Sequence, residues 1–147
     1  MKINFIEIPG RKPRKAPERD LHIACVQYVD LQYGERLFYF HSPNGGTRNK
    51  AEAAMFQKMG VLKGLPDLVF LNPLKSEIDT AKGYFESKTG LVIELKAKGK
   101  KTDKDGDQEM VMARMERLNY QTYVIDSLDE FIRVIDLHYG YLKLKKA

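Results

Sequence analysis

The chain has 147 residues, 43% of them hydrophobic and 31% charged, and 25 Lys and Arg against 20 Asp and Glu give a net charge of +5. This length suits one domain with its own core, and no run approaches the roughly 18 consecutive apolar residues of a membrane-spanning helix. A single cysteine, Cys25, excludes an internal disulfide and a cysteine-based zinc site. We expect a cytoplasmic protein whose basic character favours a polyanionic partner.

The first half of the chain predicts an N-terminal arm followed by the start of one domain. Residues 1–17 are basic and contain Pro9, Pro13 and Pro17, which predicts an irregular arm ahead of a single domain over residues 18–147. A helix is predicted from Glu18 to Gly34, with Cys25 as a buried, inert thiol. A strand over residues 37–41, a turn over 42–46 and a helix over 50–59 follow. We expect the aromatic side chains at positions 33 and 38–40 to build the core.

The second half predicts more strands than helices. Strands are predicted over residues 65–71, 84–86, 91–97 and 122–125, with the second and third forming a hairpin. A helix over residues 107–119 and a final helix capped by Ser127 and Glu130 complete the order. This alternation predicts one α/β domain, in which a central mixed β-sheet is flanked by α-helices.

Charged residues interrupt two of these apolar strands. Asp67 lies in the run over residues 65–71, and Glu94 and Lys96 lie in the run over 91–97. Such charges are costly to bury unless they are paired or bind a metal. Because side chains alternate along a strand, Glu94 and Lys96 share one face, which Asp67 joins if the strands are neighbours. Two carboxylates and an ammonium at one point are what a Mg²⁺-dependent phosphodiester hydrolase requires.

The alternative for Glu94 and Lys96 is an ion pair on a solvated sheet face, because Glu-x-Lys is a common tripeptide. Pro66-Asp67 at the start of the preceding apolar strand, and Gln108 on the following helix, favour the catalytic interpretation. The backbone carbonyl of Leu95 is a further candidate oxygen ligand, and Lys96 a candidate to orient the attacking water.

These motifs resemble a known nuclease superfamily. Pro66-Asp67 followed by Glu94-Leu95-Lys96 matches the PD-(D/E)XK pattern, and the ordered set over residues 18–135 resembles the virus-type replication-repair nuclease (VRR-NUC) domain. That set comprises Glu18, Asn44-Gly45-Gly46-Thr47-Arg48, Gly64-Leu65-Pro66-Asp67, Glu94-Leu95-Lys96 and Gln108. The resemblance implies a restriction-endonuclease-like fold.

The resemblance also implies a role for each matching residue. Asp67 and Glu94 would bind Mg²⁺ or Mn²⁺, and Lys96 would be the catalytic lysine. Glu18 would approach the same metal from the first helix, and Gln108 would support the site. A favourable charge near the helix N-terminus is the alternative role of Glu18.

The substrate expected from the resemblance is branched DNA, such as a Holliday junction or a flap. The resemblance further implies a metal-dependent endonuclease that acts as a homodimer, and the short chain suggests a phage-infected or bacterial host cell. Arg48 and the lysines Lys98, Lys100 and Lys101 are candidate DNA contacts, although such charges are often only solvated loops. A non-catalytic DNA-binding module and an RNA-directed nuclease are the alternatives.

One further residue, His22, lies a helical turn beyond Glu18. It would then line the same cleft, but a partly buried, hydrogen-bonded structural histidine is the favoured interpretation.

Overall fold

The computed structural model describes residues 16–43, 49–74, 78–79, 84–85, 87–100 and 106–146. Most of the predicted arm over residues 1–17, and residues 44–46 of the predicted turn over 42–46, lie outside them. The described helices and strands, in chain order, are α1 (Pro17–Tyr33), β1 (Tyr39–Phe40), α2 (Lys50–Lys58), β2 (Leu68–Phe70), β3 (Ile78–Asp79), β4 (Tyr84–Phe85), β5 (Gly90–Leu95), α3 (Asp107–Arg117), β6 (Tyr120–Ile125) and α4 (Leu128–Tyr139).

The central sheet is mixed, as predicted, and its strand order is β1-β2-β5-β6. Strands β1 and β2 and strands β2 and β5 are antiparallel, whereas β5 and β6 are parallel. The predicted hairpin between β4 and β5 is wrong, because β4 pairs with β3 in a separate two-stranded sheet. All six residues of β5 are buried, and such a strand is most stable when it has a partner strand on each side.

Strand β5 divides its side chains between the two faces of the sheet, as the alternation predicted. Its alternate residues Leu91, Ile93 and Leu95 join the hydrophobic core with Leu68 and Phe70 of β2. That core also contains apolar side chains of α1, α4 and β6, among them Cys25, Val29, Phe131, Ile135 and Ile125. The intervening Glu94 therefore emerges on the opposite face of the sheet.

Two local predictions about the flanking helices are confirmed. Cys25 is fully buried on α1, and burial raises the pKa of its thiol to about 12, which keeps it in the unreactive protonated form. The Ser127 side chain accepts a hydrogen bond from the Glu130 backbone N–H at 3.2 Å, so it caps α4 as expected. No helix within the described ranges is long and apolar enough to cross a membrane.

The expected burial of the aromatic residues is only partly correct. Tyr33 is fully buried and Tyr39 stacks on Phe70, with ring centroids 5.3 Å apart. Phe38 and Phe40, in contrast, are 65% and 45% exposed. Successive side chains along a strand point to opposite faces, so the inward position of Tyr39 turns its two neighbours towards solvent.

Candidate active site

Strands β2 and β5 bring Asp67 and Glu94 side by side. Leu68 pairs with Ile93, so the residue before β2 comes level with the residue after Ile93. At this point the ladder is interrupted: the backbone N–H of Leu95 donates to Asp67 Oδ2 at 2.7 Å. Strand β2 therefore begins at Leu68 instead of residue 65, since Pro66 has no N–H to donate to a ladder.

Glu94, Lys96 and Gln108 form a closed hydrogen-bonded network. Lys96 Nζ lies 2.8 Å from Glu94 Oε1 and donates to Gln108 Oε1 at 3.0 Å. Gln108 Nε2 completes the ring by donating to Glu94 Oε1 at 2.7 Å. The Lys96 and Glu94 side chains are only 7% and 4% exposed. The alternative of an ion pair on a solvated face is therefore wrong, because the pair is buried.

The electrostatics of this network favour a bound cation. Burial raises the pKa of the Glu94 carboxyl; the Lys96 hydrogen bond opposes this shift and the Asp67 charge adds to it. The buried Glu94 carboxylate and the half-buried Asp67 carboxylate are thus neighbours, and the Lys96 ammonium is shared between Glu94 and the Gln108 amide. A donor set of carboxylate oxygens suits a hard divalent ion such as Mg²⁺ or Mn²⁺. The residues present fit such a metal.

Two histidines lie beside Asp67, and the second of them, His41, was not among the predicted site residues. His41 Nδ1 is 2.7 Å from the Asp67 backbone oxygen, and the His22 ring meets the His41 ring edge-on with centroids 4.3 Å apart. His41 directly follows β1, the strand next to β2, and its closeness to Asp67 depends on the pairing of these strands. One ligand atom from each of His22, His41 and Asp67 lies within 4.8 Å of the others.

His22 is half-buried on α1 and lies beside His41 and Asp67, and its role stays a prediction. Burial lowers the pKa of the His22 ring and His41 adds to this shift, whereas the charges of Asp67 and Glu18 oppose it. Glu18 is an exposed residue of α1. Its charge acts on the His22 ring, which places Glu18 within electrostatic reach of that histidine.

The predicted DNA contacts divide into described and undescribed residues. Lys98 and Lys100 are exposed and follow directly on the Lys96 segment. The Gly99 N–H between them donates to Asp126 Oδ2 at 3.2 Å, which fixes the first part of this loop against the end of β6. Arg48 and Lys101 lie outside the described residues.

A glycine holds the Asp67 turn against the helix that carries Gln108. A Cβ atom at Gly64 would lie 2.8 Å from both the carbonyl carbon and the carbonyl oxygen of Asp107, the first residue of α3. The preceding Lys63 also pairs with Asp107 at 3.0 Å. The glycine in Gly64-Leu65-Pro66-Asp67 therefore lets the segment that carries Asp67 approach the start of α3, the helix that carries Gln108.

We expect Gly64→Ala to lower the nuclease activity predicted from the motifs by about tenfold or more, because a displacement of about 1 Å at a catalytic group can cost about a hundredfold. The added methyl group must push α3, and with it Gln108, away from Glu94. Gly60→Ala is the matched control: Gly60 also has a positive φ, of 92° against 82° for Gly64, but open space around its Cβ position. Both variants share backbone strain, so equal activities in the two would contradict this explanation.

Comparison with known proteins supports the predicted fold. A solved structure described as a VRR_NUC domain protein superposes with a TM-score of 0.65 at 22% sequence identity, covering 87% of this chain and 92% of that one. No family model matches the sequence, and no curated protein is significantly similar to it. The chain thus has the fold of a VRR-NUC domain, with a mixed sheet flanked by helices, as the resemblance implied.

Proposed function

We propose that this protein is a divalent-metal-dependent nuclease that hydrolyses phosphodiester bonds in DNA. The observation that carries the proposal is the buried Glu94–Lys96–Gln108 network beside Asp67, in a chain with the VRR-NUC fold. Burying a charged pair costs several kcal/mol in desolvation, so such a pair is weak support for a stabilising role. A catalytic role accounts for both its cost and its position.

Asp67 and Glu94 would hold Mg²⁺ or Mn²⁺, with the backbone carbonyl of Leu95 as a further oxygen ligand. When bound, the ion supplies compensation for the negative charge that develops on the phosphate oxygens during hydrolysis. The Leu95 N–H holds the Asp67 carboxylate in position through the 2.7 Å hydrogen bond to Oδ2. Exposed Glu18 would approach from the rim of the site.

Lys96 would act on the attacking water, and Gln108 would position the groups around it. The Lys96 ammonium has three N–H donors; it pairs with Glu94 and donates to Gln108. Lys96 would orient the water or stabilise charge in the transition state. Gln108 is a positioning residue, since its amide oxygen binds Lys96 while its amide nitrogen binds Glu94.

The proposed substrate is branched DNA, and the proposed active form is a homodimer. Both are supported by the resemblance of the motifs to VRR-NUC nucleases. The net charge of +5 and the exposed Lys98 and Lys100 beyond the site favour a polyanion. Two sites related by a two-fold axis suit paired cuts across a roughly symmetric junction.

A panel of substrates tests the proposal directly. Purified protein is incubated with labelled four-way, flapped, linear and single-stranded DNA and with RNA, in Mg²⁺, in Mn²⁺ and in EDTA. We expect metal-dependent cuts near the branch point and none in EDTA. Binding without cleavage in either metal would instead support a non-catalytic DNA-binding module. Cleavage of RNA alone would reassign the substrate.

We expect the lysines after Lys96 to contribute phosphate contacts. The double variant Lys98→Ala/Lys100→Ala should lower the slope of log affinity against log salt concentration by about 2, since each phosphate contact contributes about 0.9. Lys145→Ala/Lys146→Ala removes the same charge from exposed positions near the C-terminus and is the control. Equal slopes in the two variants would show that Lys98 and Lys100 make no specific phosphate contacts. Adding Lys101→Ala extends the test to the part of this loop that lies outside the described residues.

A further inference from the structure

We propose that His22 and His41, together with Asp67, add imidazole nitrogens to the candidate metal centre and make it selective for a borderline transition-metal ion over Mg²⁺. The inference deepens the proposed function, on which it rests through the shared Asp67 carboxylate. It concerns a cluster that neither the motif pattern nor the Glu94 network contains.

The first argument is distance. One ligand atom from each of the three residues lies within 4.8 Å of the other two. Two ligands on opposite sides of one transition-metal ion are about 4 Å apart, because metal–nitrogen and metal–oxygen bonds are about 2.0–2.2 Å long. The 4.8 Å separation is within about 1 Å of this span.

The second argument is the tautomer of His41. A carbonyl oxygen can only accept, so the 2.7 Å contact between His41 Nδ1 and the Asp67 backbone oxygen requires the proton to be on Nδ1. That leaves the lone pair on Nε2. Metal-binding histidines are oriented in this way, with the second ring nitrogen donating to a carbonyl or carboxylate. The same residue, Asp67, therefore orients His41 through its backbone and supplies a ligand through its side chain.

The third argument is the position of His22. It is half-buried on α1, the helix anchored in the core by Cys25 and Val29, and its ring packs edge-on against His41. A rigid element thus supplies one of the two nitrogens. Imidazole suits zinc, nickel and related ions, whereas Mg²⁺ prefers oxygen ligands and loses its water reluctantly. Two imidazoles at the centre therefore favour the former ions.

Zn²⁺ and Mg²⁺ are the probes for calorimetric titration of the metal-free full-length protein. We expect His22→Ala and His41→Ala each to weaken Zn²⁺ binding by about tenfold or more, while Mg²⁺ binding changes by less than about twofold. His138→Ala is the matched control, because the third histidine of the chain lies on α4 and contacts Tyr123. Unchanged Zn²⁺ affinity in both site variants would overturn the inference.

A second measurement needs no variant and so does not depend on how the substituted proteins fold. In the nitrogen NMR spectrum of the wild-type histidine rings, Zn²⁺ should shift Nε2 of His41 and a ring nitrogen of His22, with His138 unaffected. Zn²⁺ binding without these shifts overturns the inference.

The two proposals fail separately. If Asp67-dependent cleavage persists but the histidines do not bind Zn²⁺, only the present inference is wrong. If both histidines bind Zn²⁺ in a protein that cuts no nucleic acid, the nuclease function is wrong and the metal site stands.

Discussion

Replacing Asp67 by asparagine should reduce DNA cleavage by about a thousandfold, because the loss of a metal-binding carboxylate removes several kcal/mol of transition-state stabilisation. The amide oxygen of the new residue can still accept the Leu95 N–H bond that Asp67 Oδ2 accepts at 2.7 Å. We therefore expect a folded protein that binds branched DNA nearly as well as the wild type.

Cleavage rates and DNA affinity, measured separately in Mg²⁺ and Mn²⁺, check this prediction. Asp129→Asn, which makes the same chemical change at an exposed position of α4, should leave both unchanged. Near-normal cleavage by the Asp67→Asn protein would refute the assignment of this carboxylate to the metal.

Replacing Lys96 should have a large effect on both stability and activity. Lys96→Met should lower the free energy of unfolding of the metal-free protein by about 3–5 kcal/mol, because it leaves the buried Glu94 carboxylate without its ion-pair partner. DNA cleavage should be lost at the same time. Lys145→Met, at an exposed lysine, should change neither quantity.

The double variant Lys96→Met/Glu94→Gln separates the two effects. It removes both charges and keeps a side chain to which Gln108 can donate, so most of the lost stability should return while cleavage stays absent. Chemical denaturation of the four proteins of this cycle measures the coupling. A double variant no more stable than Lys96→Met would show that the charge on Glu94 is not the cause.

The stability loss in Lys96→Met should also depend on pH. Burial raises the pKa of Glu94 above the ordinary value of 4.5, and removing Lys96 takes away the hydrogen bond that opposes this shift. A carboxyl whose pKa is higher in the folded state adds stability at low pH that is lost as pH rises through the folded pKa. The deficit should therefore be smaller at acidic than at neutral pH; a constant deficit would contradict this account.

Local features were predictable because their physical causes are local. Gly34 follows directly on α1, and Ser127 caps α4, as their residue types require. The charges of Asp67, Glu94 and Lys96 were identified because each interrupts an apolar strand, where an unpaired charge is unstable. Resemblance to a known motif then connected them with Gln108, more than ten residues farther along the sequence.

Features that depend on which strands become neighbours were not predictable in the same way. The partner of β4 was wrongly assigned, since the adjacent segment β3 satisfies its hydrogen bonds while β5 is enclosed by β2 and β6. His41 was not recognised as a site residue, because its closeness to Asp67 arises from the pairing of β1 with β2.

The order of the amino acids was sufficient to predict the fold class, where the helices begin and the charged residues of the candidate site. These follow from hydrophobic periodicity, capping and the cost of burying charge. Three-dimensional packing was needed to establish that the Glu94–Lys96 pair is buried, that Gly64 abuts α3, and that His22 and His41 stand beside Asp67. These contacts join residues that are distant in the sequence. They are fixed by strand order and by the packing of helices on the sheet.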